Sequence, residues 1–343
     1  MKRVSNQKNQ LNVQRGGIFP PIAISLMLLL ASCGGTGNRN PAEKTTEVTD
    51  TTQQQPLRIA YLPITHALPL FISNELPDEV KQFKKLELVR FSSWTELVEA
   101  LNSGRVDGAS ILVQLALRSK EAGFPIKAVA LGHRDGNVVV VSPNIKKPED
   151  LVGKTIAIPH RQSSHNVLLN LTLRKAGIDL AQVKITELPP PEMPAALAEG
   201  RISGYVVAEP FGARGVVSGS GKVLYQSDEL WKNSICCALV IRDEVIANRF
   251  SDVNAFMADY LEASDRLVNN FDSIVPQTKK YLNVDDAVLK QSLEWISFAN
   301  LAIDQTDYDL LIRYVKEFGL SSSPPSFPDF VDNQFTSHFY SNR

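Results

Sequence analysis

The stretch ALNSGRVDG at residues 100–108 returns as ALAEGRISG at residues 196–204. Ala100, Leu101, Gly104, Arg105, Val106 and Gly108 align with Ala196, Leu197, Gly200, Arg201, Ile202 and Gly204 at a constant offset. In each copy the apolar face of a helix runs into a glycine stop, and an extended apolar segment follows. Trp94, Leu97, Val98 and Leu101 keep the spacing of one helical face, with Ser93 and Glu96 as a capping box and Gly104 as the stop. A strand is expected before each helix (86–91 and 184–188) and after it (106–111 and 205–208), so the repeated unit is βαβ. Two such units predict an α/β protein of two lobes rather than one large sheet.

Working outward, residues 57–61, 127–131 and 155–158 also read as strands. Two apolar runs, 137–142 with its four consecutive valines and 235–241, are placed to carry the chain between lobes. The second lobe is then an insertion. The expected division is lobe 1 over 57–141, lobe 2 over 142–236, and completion of lobe 1 with C-terminal helices over 237–343. Helical periodicity at 253–267 and 289–296 would pack on the first lobe, and a Ser/Pro cluster at 321–328 interrupts the last stretch.

The chain has 343 residues, 43% of them hydrophobic and 21% charged, enough to bury a substantial core. Its 36 basic and 37 acidic side chains balance to −1, which argues against a nucleic-acid partner. The start is different in character. Lys2, Arg3, Lys8 and Arg15 precede an apolar run at 22–31 with no acid among them, the layout of an export signal over residues 1–32. That run is about half of the roughly 20 residues that span a bilayer, so a transmembrane anchor is disfavoured. It ends at Leu30, Ala31, Ser32 and Cys33, which resembles the lipobox of bacterial lipoproteins and implies lipidation of Cys33. Residues 33–56, rich in Gly, Asn, Thr and Gln, then form a tether from membrane to folded body. Cys236 and Cys237 are neighbours, about 3.8 Å apart at Cα and pointing to opposite faces if in a strand, so they are expected to be free and buried.

In open α/β sheets the loops after the strands frame the ligand crevice. Those loops hold Thr65 and His66, the run 92–94 with Trp94, Ser110, the run 132–137, the run 162–165 with Gln162, Ser163 and Ser164, the run 189–192, and the run 209–211 with Glu209. Ser163 and Ser164 open a helix, where two hydroxyls and free backbone N–H groups suit an electronegative group; plain N-capping by Ser163 is the competing reading. His66 is favoured as a ligand contact because it follows the first strand and precedes an apolar helix start. Other chemistry fits poorly. The run 219–222 resembles a phosphate loop, but Val216 and Val223 occupy two of its obligatory positions. Gly108, Ala109 and Ser110 begin a nucleophile elbow that Leu112 breaks. His160 and His165 are not at i, i+4, and Cys236 and Cys237 lack CxxC spacing, so neither a metal nor a cofactor is expected.

With those residues in view, the chain resembles a solute-binding lipoprotein of the nitrate/sulfonate/taurine and thiamine-pyrimidine ABC-importer family. The resemblance rests on YLPITHALP (61–69), GRVDGAS (104–110), GHRDGNVVVV (132–141), DLVGKTIAIP (150–159), Glu209 to Phe211, and 236–241. It implies the periplasmic-binding-protein fold: two α/β lobes joined by two crossing strands, with the ligand in the cleft between them. It further implies a non-enzymatic monomer, lipid-anchored outside the cytoplasm, that hands a small polar molecule to a membrane permease. Carried onto this chain, the contacts would be Thr65, His66, Trp94, Ser110, Gln162, Ser163, Ser164 and Glu209, with hinges near 139–142 and 236–238. A sulfonate, a nitrate- or bicarbonate-like anion, and a pyrimidine are the expected solute classes. Glu209 would repel an anion, and the Cys236–Cys237 pair resembles part of a cysteine-rich stretch in the pyrimidine branch. Two alternatives share the architecture: an enzyme like those of the menaquinone pathway, with His66 or Glu209 as base, and a ligand-sensing receptor module.

Overall fold

The computed structural model describes residues 55–270 and 275–341. The export signal, Cys33 and nearly all of the tether lie outside the described residues. Among the described residues no helix is long and apolar enough to cross a membrane.

Two five-stranded sheets carry the core, and they repeat one design. The first has the order β2-β1-β3-β11-β4, built from β1 (Leu57–Tyr61), β2 (Leu86–Arg90), β3 (Gly108–Leu112), β4 (Ile126–Leu131) and β11 (Cys237–Arg242). The second has the order β10-β6-β9-β7-β8, from β6 (Asn137–Val141), β7 (Thr155–Ile158), β8 (Lys184–Glu187), β9 (Gly204–Ala208) and β10 (Lys222–Gln226). In each, three parallel strands (β2-β1-β3 and β8-β7-β9) are followed by an antiparallel one, β11 or β6. The remaining pair, β5 (Arg134–Asp135) and β12 (Ile296–Ser297), is a two-stranded ribbon.

The repeated segment at 100–108 and 196–204 builds the same helix-to-strand turn in both sheets. Helix α2 (Trp94–Asn102) enters β3 through Gly104 at φ 75°, and α5 (Met193–Ala198) enters β9 through Gly200 at φ 70°. Both turns need left-handed backbone, which glycine adopts without a Cβ penalty. The hydrogen bonds are the same in each: Arg105 N–H donates to Ala100 O at 3.0 Å, and Arg201 N–H to Ala196 O at 2.9 Å. Half of the expected capping box forms. Ser93 Oγ accepts the Glu96 N–H at 3.3 Å, while the Glu96 carboxylate takes the Ser92 hydroxyl instead.

The two apolar runs expected to cross between lobes each lie within one sheet. β6 is buried along its whole length between β10 and β9, and β11 lies between β3 and β4 with five of its six residues buried. Strands covered on both faces read as continuous apolar runs, and that burial keeps them central rather than bridging. The chain instead passes between sheets at residues 132–136 and 231–236. These passages are tied together: Asp135 Oδ1 accepts from Ser234 N–H at 3.1 Å and from its hydroxyl at 3.2 Å. Arg134 reaches outward, pairing with Asp307 at 2.5 Å and donating to the carbonyls of Asn300 and Ala302, both at 3.0 Å.

The C-terminal helices serve both sheets. Helix Phe250–Asn269 packs on α1 (Leu68–Glu75) beside the first sheet. Helix Asp286–Leu293 packs on α6 (Phe211–Val217), and Glu317 on helix Gln305–Glu317 pairs with Arg174 of α4 (Ser164–Lys175) at 2.7 Å.

Candidate functional site

The loops after β1 and β9 meet directly. After Tyr61 the chain turns through a 3-10 segment, Thr65–Ala67, whose Thr65 N–H donates to the Glu209 carbonyl at 3.0 Å. Thr65 and Glu209 are fully buried. Thr65 Oγ1 accepts the hydroxyl of Ser292 at 3.3 Å, so a third segment closes over them. Glu209 Oε2 accepts the Ala213 N–H at the start of α6 at 3.0 Å, and Oε1 has no partner. Gly212 makes room for that carboxyl, since a Cβ there would collide with it and with Val138. Burial pushes Glu209 up to about 8; the Ala213 N–H and Ser292 offset only part of the desolvation.

A second constellation lies beside it and is wholly buried. His66, His133, Cys236 and Cys237 bring their ligand atoms within 4.8 Å of one another. His66 Nε2 meets the Gly136 carbonyl at 2.8 Å while Nδ1 faces Cys237 Sγ at 3.6 Å. The His66 and His133 rings are 3.5 Å apart at their centroids. Cys236 Sγ sits 3.8 Å from Cys237 Sγ, 3.4 Å from Asn137 Oδ1, and accepts the Ser164 hydroxyl at 3.0 Å. His133 lies against Cys236, yet neither of its nitrogens makes a hydrogen bond; the same is true of His165. Burial, reinforced for both by His66, lowers each of these imidazoles to about 4, so both are neutral at physiological pH. Burial alone would raise Cys236, but Cys237 and the surrounding imidazoles hold it below the ordinary thiol range. Cys237 is pushed up by burial and by its neighbour.

The sequence-predicted residues therefore fall into groups. Thr65, His66, Ser164 and Glu209 converge in the interior between the sheets. Trp94 and Gln162 lie apart from them, lining with His160 an outer cavity of about 280 Å³ between α2, α3 (Val113–Glu121) and the loop after β7. Ser163 is occupied as the N-cap of α4: its oxygen accepts the Asn166 N–H at 3.3 Å and its hydroxyl donates to His160 O at 2.6 Å. Ser110 is buried in β3 opposite Leu239, one pleat from the Leu112–Cys237 pair.

Sequence reasoning placed His133, Asn137 and His165 in loops after strands without giving them a role, and it missed Ser292 and the chemistry of both cysteines. Both are free, as expected. The alternation argument that separated their side chains applies inside a strand, and Cys236 lies just before β11, in the passage. The signal was positional: His133 and Cys236 each sit in a stretch where the chain changes sheets.

Among solved structures, a ligand-binding component of an ABC-type import system from Staphylococcus aureus, with zinc bound, is 38% identical. Its TM-score is 0.78 over 83% of this chain and 98% of that one. The nitrate-binding protein NrtA of Synechocystis PCC 6803 shares the fold at 14% identity, with a TM-score of 0.73 over 84% of this chain and 89% of that one. The taurine-binding periplasmic protein of Escherichia coli K12 is 34% identical over 191 residues, 53% of this chain and 58% of that protein. The nitrate import ATP-binding protein NrtC of Synechocystis PCC 6803 is 27% identical over 61% of this chain and 34% of its own length. This chain thus spans less than two thirds of the length of these two curated relatives. The model of the NMT1-like family matches residues 50–274, most of the folded body, and the chain belongs to that family.

Proposed function

We propose that the chain is the solute-capturing component of an ABC importer, working outside the cytoplasm and catalysing nothing. The observation that carries this reading is the polar interior between the two sheets, where loops after β1 and β9 enclose buried groups with unused hydrogen-bonding capacity. A buried polar interior contributed by both sheets is what a two-lobed clamp presents when shut. The taurine, nitrate and zinc of the relatives' names differ in chemistry, so lining side chains rather than the fold select the solute.

In this reading Thr65, His66, Ser164 and Glu209 contact the solute, Trp94 and Gln162 guard the mouth, and Ser110 and Ser163 support them from strand and helix cap. Lipid on Cys33 holds a monomer at the membrane beside its permease; each buried methylene contributes about 0.8 kcal/mol, so acyl chains anchor without a spanning helix. Opening bends residues 132–136 and 231–236, because β6 and β11 are fully laddered.

The test is a thermal-shift screen of the purified protein against sulfonates, nitrate, bicarbonate, pyrimidines and divalent metals. A solute at one hundred times its Kd adds about 2.7 kcal/mol to stability. Turnover of a compound, or no shift with any, rejects the importer reading; Cys33→Ser should release the protein from membranes.

A further inference from the structure

We propose that His66, His133, Cys236 and Cys237 form a site for one thiophilic divalent cation of the zinc type, and that this ion is the captured solute. The second half rests on the importer reading; the first does not.

The geometry is that of a coordination shell. A tetrahedral ion with bonds of about 2.3 Å to sulfur and 2.0–2.1 Å to nitrogen sets its sulfurs about 3.8 Å apart and sulfur from nitrogen about 3.5 Å. The observed Cys236 Sγ to Cys237 Sγ distance is 3.8 Å, and Cys237 Sγ to His66 Nδ1 is 3.6 Å. Two soft sulfurs and two imidazoles match a zinc-type ion and leave no oxygen shell of the kind magnesium or calcium needs. Charge agrees as well. Two thiolates neutralise one dication, so the filled site buries no net charge, and the two displaced thiol protons leave to solvent.

Outer partners are in place. With Nε2–H donating to Gly136 O at 2.8 Å, His66 presents the Nδ1 lone pair to the centre, the arrangement by which a second hydrogen bond orients a ligating imidazole. The Ser164 hydroxyl donates to Cys236 Sγ at 3.0 Å. Asn137 faces the same sulfur with Oδ1 while its Nδ2 is without a partner; turning the amide over gives the thiolate a second donor. His133, fully buried with both nitrogens unpartnered, supplies the fourth lone pair. His66 comes from the loop after β1, His133 and Cys236 from the two passages between the sheets, and Cys237 from the first position of β11, so the ion enters or leaves only when those passages bend.

The test uses the reduced full-length protein in detergent. One equivalent of Co²⁺ should produce thiolate-to-cobalt charge transfer with tetrahedral visible bands, and Zn²⁺ should displace it. Cys236→Ser and Cys237→Ser should abolish the charge-transfer intensity their sulfur supplies, and Ser164→Ala should weaken binding 10- to 100-fold. Zn²⁺ should also protect both cysteines of the wild-type protein from alkylation, which decides the matter even where a serine variant fails to fold. Absence of the bands and of protection overturns the site, as does binding that the substitutions leave unchanged, which would be an adventitious ion only. If the site binds metal but removing the protein leaves zinc uptake by zinc-starved cells unchanged, the cargo assignment falls. If no metal binds while an organic solute raises the melting temperature, the metal inference falls and the importer reading stands.

Discussion

Glu209 shows what a single buried carboxyl does to the pH response of the protein. Its folded value of about 8 stands above the ordinary 4.5, so between those values the folded state keeps a proton that the unfolded state has released. Stability from this group is fully present below about pH 4.5 and is lost as pH rises through about 8. The melting temperature should fall over that window, and Glu209→Gln should flatten the decline; an unchanged slope would place the proton elsewhere. Gly132 is held free of a side chain by the His66 loop. A Cβ there would lie 2.7 Å from the His66 carbonyl and against Cys237, so Gly132→Ala should cost about 1–3 kcal/mol in urea unfolding with an unchanged m-value. The placement of His66 and His133 in loops after strands was legible in the sequence. Their meeting with Cys236 and Cys237 was not, because spacing motifs record only groups that lie close along one segment.

At the scale of elements, the cap of α4 separates two roles the sequence left open for its serines. Ser163→Ala removes the acceptor for the Asn166 N–H and should cost about 1 kcal/mol of stability with solute affinity unchanged. An affinity loss at unchanged stability would instead put that hydroxyl on the solute. The strap around the first passage is another element-level device. Arg134 and Asp307 are mostly buried and the guanidinium also holds two carbonyls. Asp307→Asn leaves that cation without its counter-charge, and an expected loss of about 3 kcal/mol should appear in denaturant unfolding. The repeated helix–glycine–strand turn was readable because its cause is local: an apolar face followed by a residue free to adopt positive φ. Sheet membership of β6 and β11 was not, since a run of valines shows burial on both faces without showing which sheet buries it.

For the whole molecule, the importer reading requires that the solute-free form opens. Small-angle scattering should give a larger radius of gyration without solute than with it; identical profiles would remove the clamp. The C-terminal helices bear on this motion. Helix Asp286–Leu293 packs on α6 and also sets Ser292 against Thr65, so it touches the loops of both sheets. The periodicity of that helix was visible in sequence, but its place across both bodies was not.

The amino-acid sequence alone determined the α/β class, the doubled βαβ unit, the glycine turns and the strand ends whose loops meet in the interior. These follow from periodicity and backbone freedom within a few consecutive residues. Only the tertiary structure decided that the chain crosses at 132–136 and 231–236, and that two histidines and two cysteines spread over some 170 positions meet. Such meetings depend on which strands pair at long range, and no local pattern of side chains carries that information.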